Sequence, residues 1–340
     1  MSLLSKRRLI VLGVLYCCVF TATCAVGGLA YFHFGNPKDT CAACHEMTGV
    51  YSHWRSSSHR TIHCRECHGG SLTLDVHALQ SHVERLVRHL TGDPNSPVHL
   101  QGRHVRDLNL SCGRCHPQAL ADWQASRHST TYARFFLDPE HNRQEPPSND
   151  CLRCHGMFFQ GDITALVATA PGAGWRLQQP ALAVQAAIPC LSCHQVHASA
   201  DDTRDGSFYD RREQSHIPAY ALPVPHIQQG ERAVKVSLDP RQRSCLQCHA
   251  PDPAHQLASS DDRTPAGVHE GLSCADCHPA HGRSSALTCN ACHPADSHCG
   301  IPVEKMDTSF LSPTSTHNVH TVACMDCHPQ GIPKKAPMAK

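Results

Sequence analysis

Large aromatic side chains are scarce in this chain. Nine Phe, six Tyr and three Trp make up 5% of 340 residues, too few bulky rings to fill a conventional core at this length. An excess of charge of either sign is also missing. Lys and Arg total 30 against 29 Asp and Glu, a formal net charge of +1, so no basic surface for nucleic acid is expected. Sustained alternation of apolar and polar residues is absent too, which argues against a large sheet. What the chain has in plenty is 22 Cys and 29 His. Something built on those two residue types must fill the interior.

Eighteen of the cysteines form nine C-x-x-C pairs, each followed at once by His. They are Cys41, Cys44 and His45; Cys64, Cys67 and His68; Cys112, Cys115 and His116; Cys151, Cys154 and His155; Cys190, Cys193 and His194; Cys245, Cys248 and His249; Cys274, Cys277 and His278; Cys289, Cys292 and His293; and Cys324, Cys327 and His328. C-x-x-C-H is the attachment signature of c-type haem. The two thiols add to the two vinyl groups of one haem, and the adjacent imidazole reaches the iron from the same side. Zinc sites also use C-x-x-C, and the gap between Cys277 and Cys289 is ribbon-like, but zinc does not require His after every pair. At this His content, nine such coincidences have a chance probability of roughly 10⁻¹⁰, which decides against chance. A disulfide framework has no reason to recruit those histidines either. Nine covalently attached haem c groups are therefore expected. Haem packing and thioether bonds would substitute for a large apolar core, in a mostly α and irregular fold with little β structure.

Lys6, Arg7 and Arg8 precede an uncharged run from Leu9 to about Phe32, and about 20 apolar residues suffice to cross a bilayer as a helix. The basic flank predicts an N-terminus on the inside. The expectation is a cytoplasmic tip over 1–8, a single-pass anchor of the bacterial inner membrane over 9–32, and a periplasmic haem domain. A cleaved secretory signal has a shorter apolar region, about 7–15 residues. Cys17, Cys18 and Cys24 then read as small apolar helix residues. The basic residues are 23 Arg against 7 Lys. A guanidinium fork suits carboxylates, so partial neutralisation of haem propionates is one use for them; an Arg-favouring genome gives the same count.

The motifs start 23, 48, 39, 39, 55, 29, 15 and 35 residues apart, which is no strict repeat. Four lie within 33–155 and five within 156–340. Between them, Gly156–Pro189 and Gln195–Ser244 lack motifs, and the second, with Asp201–Asp205 and Pro218–Pro225, reads as surface loop. Over Leu72–Leu90, the residues Leu79, His82, Leu86 and His89 share one helical stripe, closed by Thr91-Gly92-Asp93-Pro94. That stripe either lies against a haem face or belongs to a solvated helix.

Nine motif imidazoles leave twenty other histidines for at most nine distal positions. Every iron can thus be six-coordinate, and axial His keeps the potential low. A saturated iron passes electrons but does not readily bind substrate. His59 and His128 follow Trp54 and Trp123 in similar settings, the second reading W-x-x-S-x-H. His197 and His281 each come three residues after a motif His, in C-H-x-x-H, and cannot easily reach round their own porphyrin; a neighbouring haem is the better target. His63, His269, His317 and His320 lie shortly before motifs, and His82 and His89 sit on the stripe. An ordinary surface His is the alternative at each. Cys299 is left over in S-H-C-G, as a ligand, a tether or an unpaired structural thiol.

The run Cys41-Ala-Ala-Cys44-His45-Glu46-Met47 is followed by Tyr51, Trp54, His59 and then Cys64-Arg-Glu-Cys67-His68. Set directly behind an N-terminal anchor, it resembles the membrane-bound quinol dehydrogenases of the NapC/NirT group, which includes the small subunit NrfH. The resemblance is confined chiefly to the N-terminal part. It implies that Met47 ligates the first iron in place of the motif His, against the membrane where quinol is oxidised; a Met packed beside the ring is the other reading. The group's usual member carries four haems, and five further motifs follow here. Electrons would pass from the quinol pool, or from a membrane quinol-oxidising partner, to a periplasmic or outer-membrane redox protein. The alternatives are a terminal reductase of a small nitrogen or sulfur compound, though no C-x-x-C-K variant is present, and a haem array that stores charge within a larger complex. The mature polypeptide is expected to exceed its 37.2 kDa by the mass of nine haems, as intact mass spectrometry will show.

Overall fold

The computed structural model describes residues 3–40, 42–68, 87, 89–91, 102–170, 174–198, 205–250, 262–278, 281, 289–293, 299 and 301–333. Short helices and irregular segments dominate, and the only sheets among the described residues are three two-stranded hairpins. The chain divides into two compact units, Met1–His99 with Val196–Ala200 and Leu100–Gln195 with Asp201–Lys340.

The first unit opens with helix α1, Leu3–Phe34. Its stretch Arg7–Gly28 has a mean hydropathy of 2.4, and none of it is buried among the described residues. At 1.5 Å per residue it extends about 33 Å, enough to cross a hydrocarbon core. Thr21 and Thr23 do not interrupt it. Their hydroxyls donate to the carbonyls of Cys17 and Val19 at 2.7 and 2.8 Å, so neither carries an unsatisfied donor into the apolar run. Beyond α1 come a 3₁₀ turn, His45–Met47, and helices Thr48–Ser56 and Cys64–His68. Of the striped helix expected over 72–90, residues 72–86 and 88 lie outside the described residues; Val87 and the run 89–91 are helical.

Two apolar clusters hold the second unit. One gathers Tyr132, Phe136, Leu152, Phe159, Ile163, Leu166, Val167, Leu177 and Ala187. Strands β1 (Val167–Ala170) and β2 (Gly174–Leu177) serve it, because their register sets Val167 opposite Leu177. Strands β3 (Ser207–Asp210) and β4 (Ser215–Pro218) pair Tyr209 with His216. The other cluster joins Ile227, Val234, Leu246, Ala250 and Ala266. There β5 (Ile227–Gln229) and β6 (Arg232–Val234) set Ile227 opposite Val234. Their two-residue turn uses Gly230 at φ +63°, a conformation that suits a hairpin and costs glycine least.

All three hairpins fall in the motif-free stretches. The segment Pro218–Pro225, expected as surface loop, instead buries Ala219 and Leu222. Asp201–Arg204 lie outside the described residues.

Three motifs share one detail. The residue after the first Cys is Leu152, Leu191 or Leu246 in the fourth, fifth and sixth motifs, and each is buried. Met325, at the same place in the ninth motif, is 53% exposed. Burying one leucine stabilises by about 2 kcal/mol, so the central attachment turns are anchored by hydrophobic plugs. Leu152→Ala is expected to cost about 2–5 kcal/mol, read as a lower urea midpoint, while Leu152→Met costs under about 1.5 kcal/mol.

Candidate haem-attachment array

Eight motifs lie wholly within the described residues, and each contains or ends a helical turn. In six of them the His N–H donates to the carbonyl of the first Cys: His116 at 2.8, His155 at 2.8, His194 at 3.1, His278 at 2.8, His293 at 2.7 and His328 at 2.9 Å. A helical turn places residues i and i+3 on one face. Both thiols therefore point the same way, with the imidazole one residue on. That is the donor set one porphyrin needs. In the seventh and ninth motifs the turn is pinned by its own third residue: Asp276 and Asp326 accept from the N–H of Ser273 and Ala323 at 2.9 and 2.7 Å, as in a capping box. Of the first motif, Cys41 lies outside the described residues, and only the backbone of His45 is described.

The second imidazoles supply a sharper test. A metal holds an imidazole nitrogen at about 2 Å, so two imidazoles on opposite sides of one metal put their ring centres about 6 Å apart. Four motif histidines have a non-motif histidine at that separation. His68 faces His197 at 5.9 Å, His249 faces His128 at 6.2 Å, His194 faces His281 at 5.6 Å, and His278 faces His320 at 6.0 Å with the rings 4° from parallel. Burial pushes the pKa of His194, His197 and His278 down, with neighbouring imidazoles adding to it. Each is thus held neutral, the form that ligates a metal. These residues fit haem.

Local structure explains how the second imidazoles are presented. Ser57 and Ser126 donate their hydroxyls to the carbonyls of Trp54 and Trp123 and accept from the N–H of His59 and His128. The Trp indoles in turn donate to Ile62 and Ile188, both at 3.1 Å. The same hook recurs at His317 and His320, which donate their N–H to the side chains of Ser315 and Asn318. His281 reaches its position through a left-handed backbone, φ +58°. That conformation is uncommon for a non-glycine residue and is held only where its surroundings demand it.

The other expected residues are placed differently. His269 and His317 have Nδ1 against the carbonyls of Val319 and Asp307 at 3.1 and 3.0 Å, the kind of contact that fixes the ring of a metal-ligating imidazole. His89 Nδ1 lies 2.7 Å from Glu46 Oε1, and Cys44 Sγ joins these two in one cluster. Met47 closes its 3₁₀ turn, partly buried. His63 contacts Arg65 through both ring nitrogens. Cys299 Sγ lies 4.0 Å from His328 Nε2. His82 lies outside the described residues.

Phe135 had no sequence signal. Its ring stacks on His155 at 3.5 Å and 18°, which fixes the plane of that imidazole. His216 also went unread; its Nε2 lies 2.7 Å from the Leu191 carbonyl, inside the fifth motif. The Nε donors of Arg211 and Arg243 are buried and meet no acceptor among the described residues. Such donors suit carboxylates, and propionates are carboxylates.

A family model described as Cytochrome c3 matches residues 226–294, the segment holding the sixth, seventh and eighth motifs. No curated protein and no solved structure matches the chain. The match and the motif turns together support a multihaem c-type cytochrome, fit covalent haem c and suggest electron transfer. His320→Ala in the haem-loaded protein is expected to convert one low-spin iron to high spin, read by electron paramagnetic resonance.

Proposed function

We propose that this chain is a membrane-anchored conduit that takes electrons from quinol and passes them through nine haems to a periplasmic or outer-membrane redox protein. The observation that carries the reading is the set of four histidine pairs with ring centres 5.6–6.2 Å apart. A haem iron, when bound, cycles between ferrous and ferric states. Imidazoles on both of its faces leave no position for substrate, which favours a wire over a reductase.

The quinol part has its own supports. Helix α1 presents an apolar surface long enough to span a bilayer, and Lys6, Arg7 and Arg8 keep its N-terminus in the cytoplasm. The first motif follows directly, in a run similar to the NapC/NirT group. Oxidising a quinol to a quinone releases two electrons and two protons. The hydrogen-bonded Glu46 and His89, clustered with Cys44, offer a proton acceptor at the place where the electrons leave.

Purified haem-loaded protein mixed anaerobically with a reduced menaquinol analogue is expected to show sharp ferrous absorption bands. Protein that stayed oxidised would remove quinol as the donor.

A further inference from the structure

The seventh motif and its second imidazole come from separate stretches of chain, and the backbone stitches those stretches together. Residues 266–268 lie shortly before Cys274, and residues 318–322 shortly before Cys324. The Ala266 N–H donates to the His320 carbonyl at 2.7 Å, and the Val268 N–H to the Val322 carbonyl at 3.0 Å. Gly267 lies between them at φ +62°, where a Cβ would collide with the Val322 carbonyl. Glycine takes that conformation at least cost and leaves that space open. His269 Nδ1, donating to the Val319 carbonyl at 3.1 Å, closes the same clamp.

Within the clamped loop, one side chain decides what the His320 ring can offer. Asn318 Oδ1 lies 3.0 Å from the backbone nitrogen of His320 and 3.0 Å from its Nδ1. A backbone N–H only donates, so the Asn318 atom it meets is the carbonyl oxygen and not the amide nitrogen. That oxygen has two lone pairs and no proton. Nδ1 therefore holds its hydrogen bond as the donor, which puts the lone pair of the neutral imidazole on Nε2. Asn318 is itself fixed, because its backbone carbonyl accepts from the N–H of Thr321 and Val322 at 3.0 and 2.8 Å. The ring so oriented lies 6.0 Å from that of His278 and 4° from parallel.

We infer that Asn318 is a positioning residue for the seventh haem: it sets the tautomer in which His320 ligates through Nε2, in a loop that Gly267 allows to close onto the seventh motif's own segment. This role rests on the pairing of His278 with His320, one of the four pairs that carry the conduit reading. An acceptor on Nδ1 also strengthens the imidazole as a ligand, and losing such a partner weakens the hold on a metal about 10–100-fold. A wire needs that hold, because an iron that sheds its second imidazole opens to small ligands.

Carbon monoxide binds ferrous haem only where the second ligand gives way, so titrating it into the haem-loaded full chain, reduced with dithionite, reads the hold. Asn318→Leu is expected to take up one equivalent at a concentration about 10–100-fold below that needed by the parent. Asn318→Asp keeps an acceptor in place and is expected to titrate as the parent does, whereas Gly267→Ala is expected to follow Asn318→Leu. Combined with His320→Ala, Asn318→Leu is expected to open no haem beyond the one that His320→Ala opens alone. The positioning role is overturned if Asn318→Leu titrates like the parent, if Asn318→Asp is equally open, or if the haem opened adds to that of His320→Ala. Gly267→Ala titrating like the parent would remove Gly267 from the clamp. If the Asn318 variants fail to load haem, crystals of the unaltered loaded chain decide: His320 bound through Nδ1, or turned away from Asn318, overturns the role, and Nε2 on the iron with Nδ1 on Asn318 upholds it. His320→Ala without effect on uptake or spin state would sink the pairing and this role with it. The conduit reading fails on separate ground, protein that a menaquinol analogue leaves oxidised while the titration comes out as expected.

Discussion

The structure depends on one local constraint, the helical turn that sets two cysteines and a following histidine toward a single porphyrin. Each turn is too short to be stable alone, because nucleating a helix fixes several residues for one hydrogen bond. Side-chain support makes up the difference, in three forms. Buried leucines anchor the fourth, fifth and sixth turns, aspartates brace the seventh and ninth, and buried amides at Asn109 and Gln242 tie one turn to another. The apolar clusters are correspondingly small, and each takes in one motif leucine, Leu152 or Leu246.

Much of this was legible in the residues. Thiols and imidazoles recurring at fixed spacing leave little freedom, and the mostly helical, irregular fold followed from them and from the shortage of aromatics. His197 and His281 were expected to serve haems other than their own, and their rings lie beside those of His68 and His194, imidazoles of other motifs. The partner in each case could not be read, because such pairs join residues far apart in sequence and no local pattern encodes them. The hairpins were missed for a different reason. Each strand has three or four residues, too few to show alternation, although the turn at Gly230 was a usable sign.

Phe135 shows the general limit. Nothing in its surroundings in the sequence distinguishes it from a core aromatic, and its neighbour Phe136 is one. Only the fold reveals that it orients the His155 ring. The scarcity of aromatics makes this use more informative: with few rings to spend, one is set flat against a motif imidazole.

The pairing of distant imidazoles has a consequence for biogenesis. His68 and His249 each face a partner more than a hundred residues away along the chain, at His197 and His128. On the proposed reading, a polypeptide exported in chain order behind its anchor would present Cys64 and Cys67 well before His197 has emerged. The second haem would then be attached on one side only and wait, its far face open, until the later segment arrives. On that reading loading and folding would be interleaved, with the chain held unfolded and reduced while its cofactors are put in.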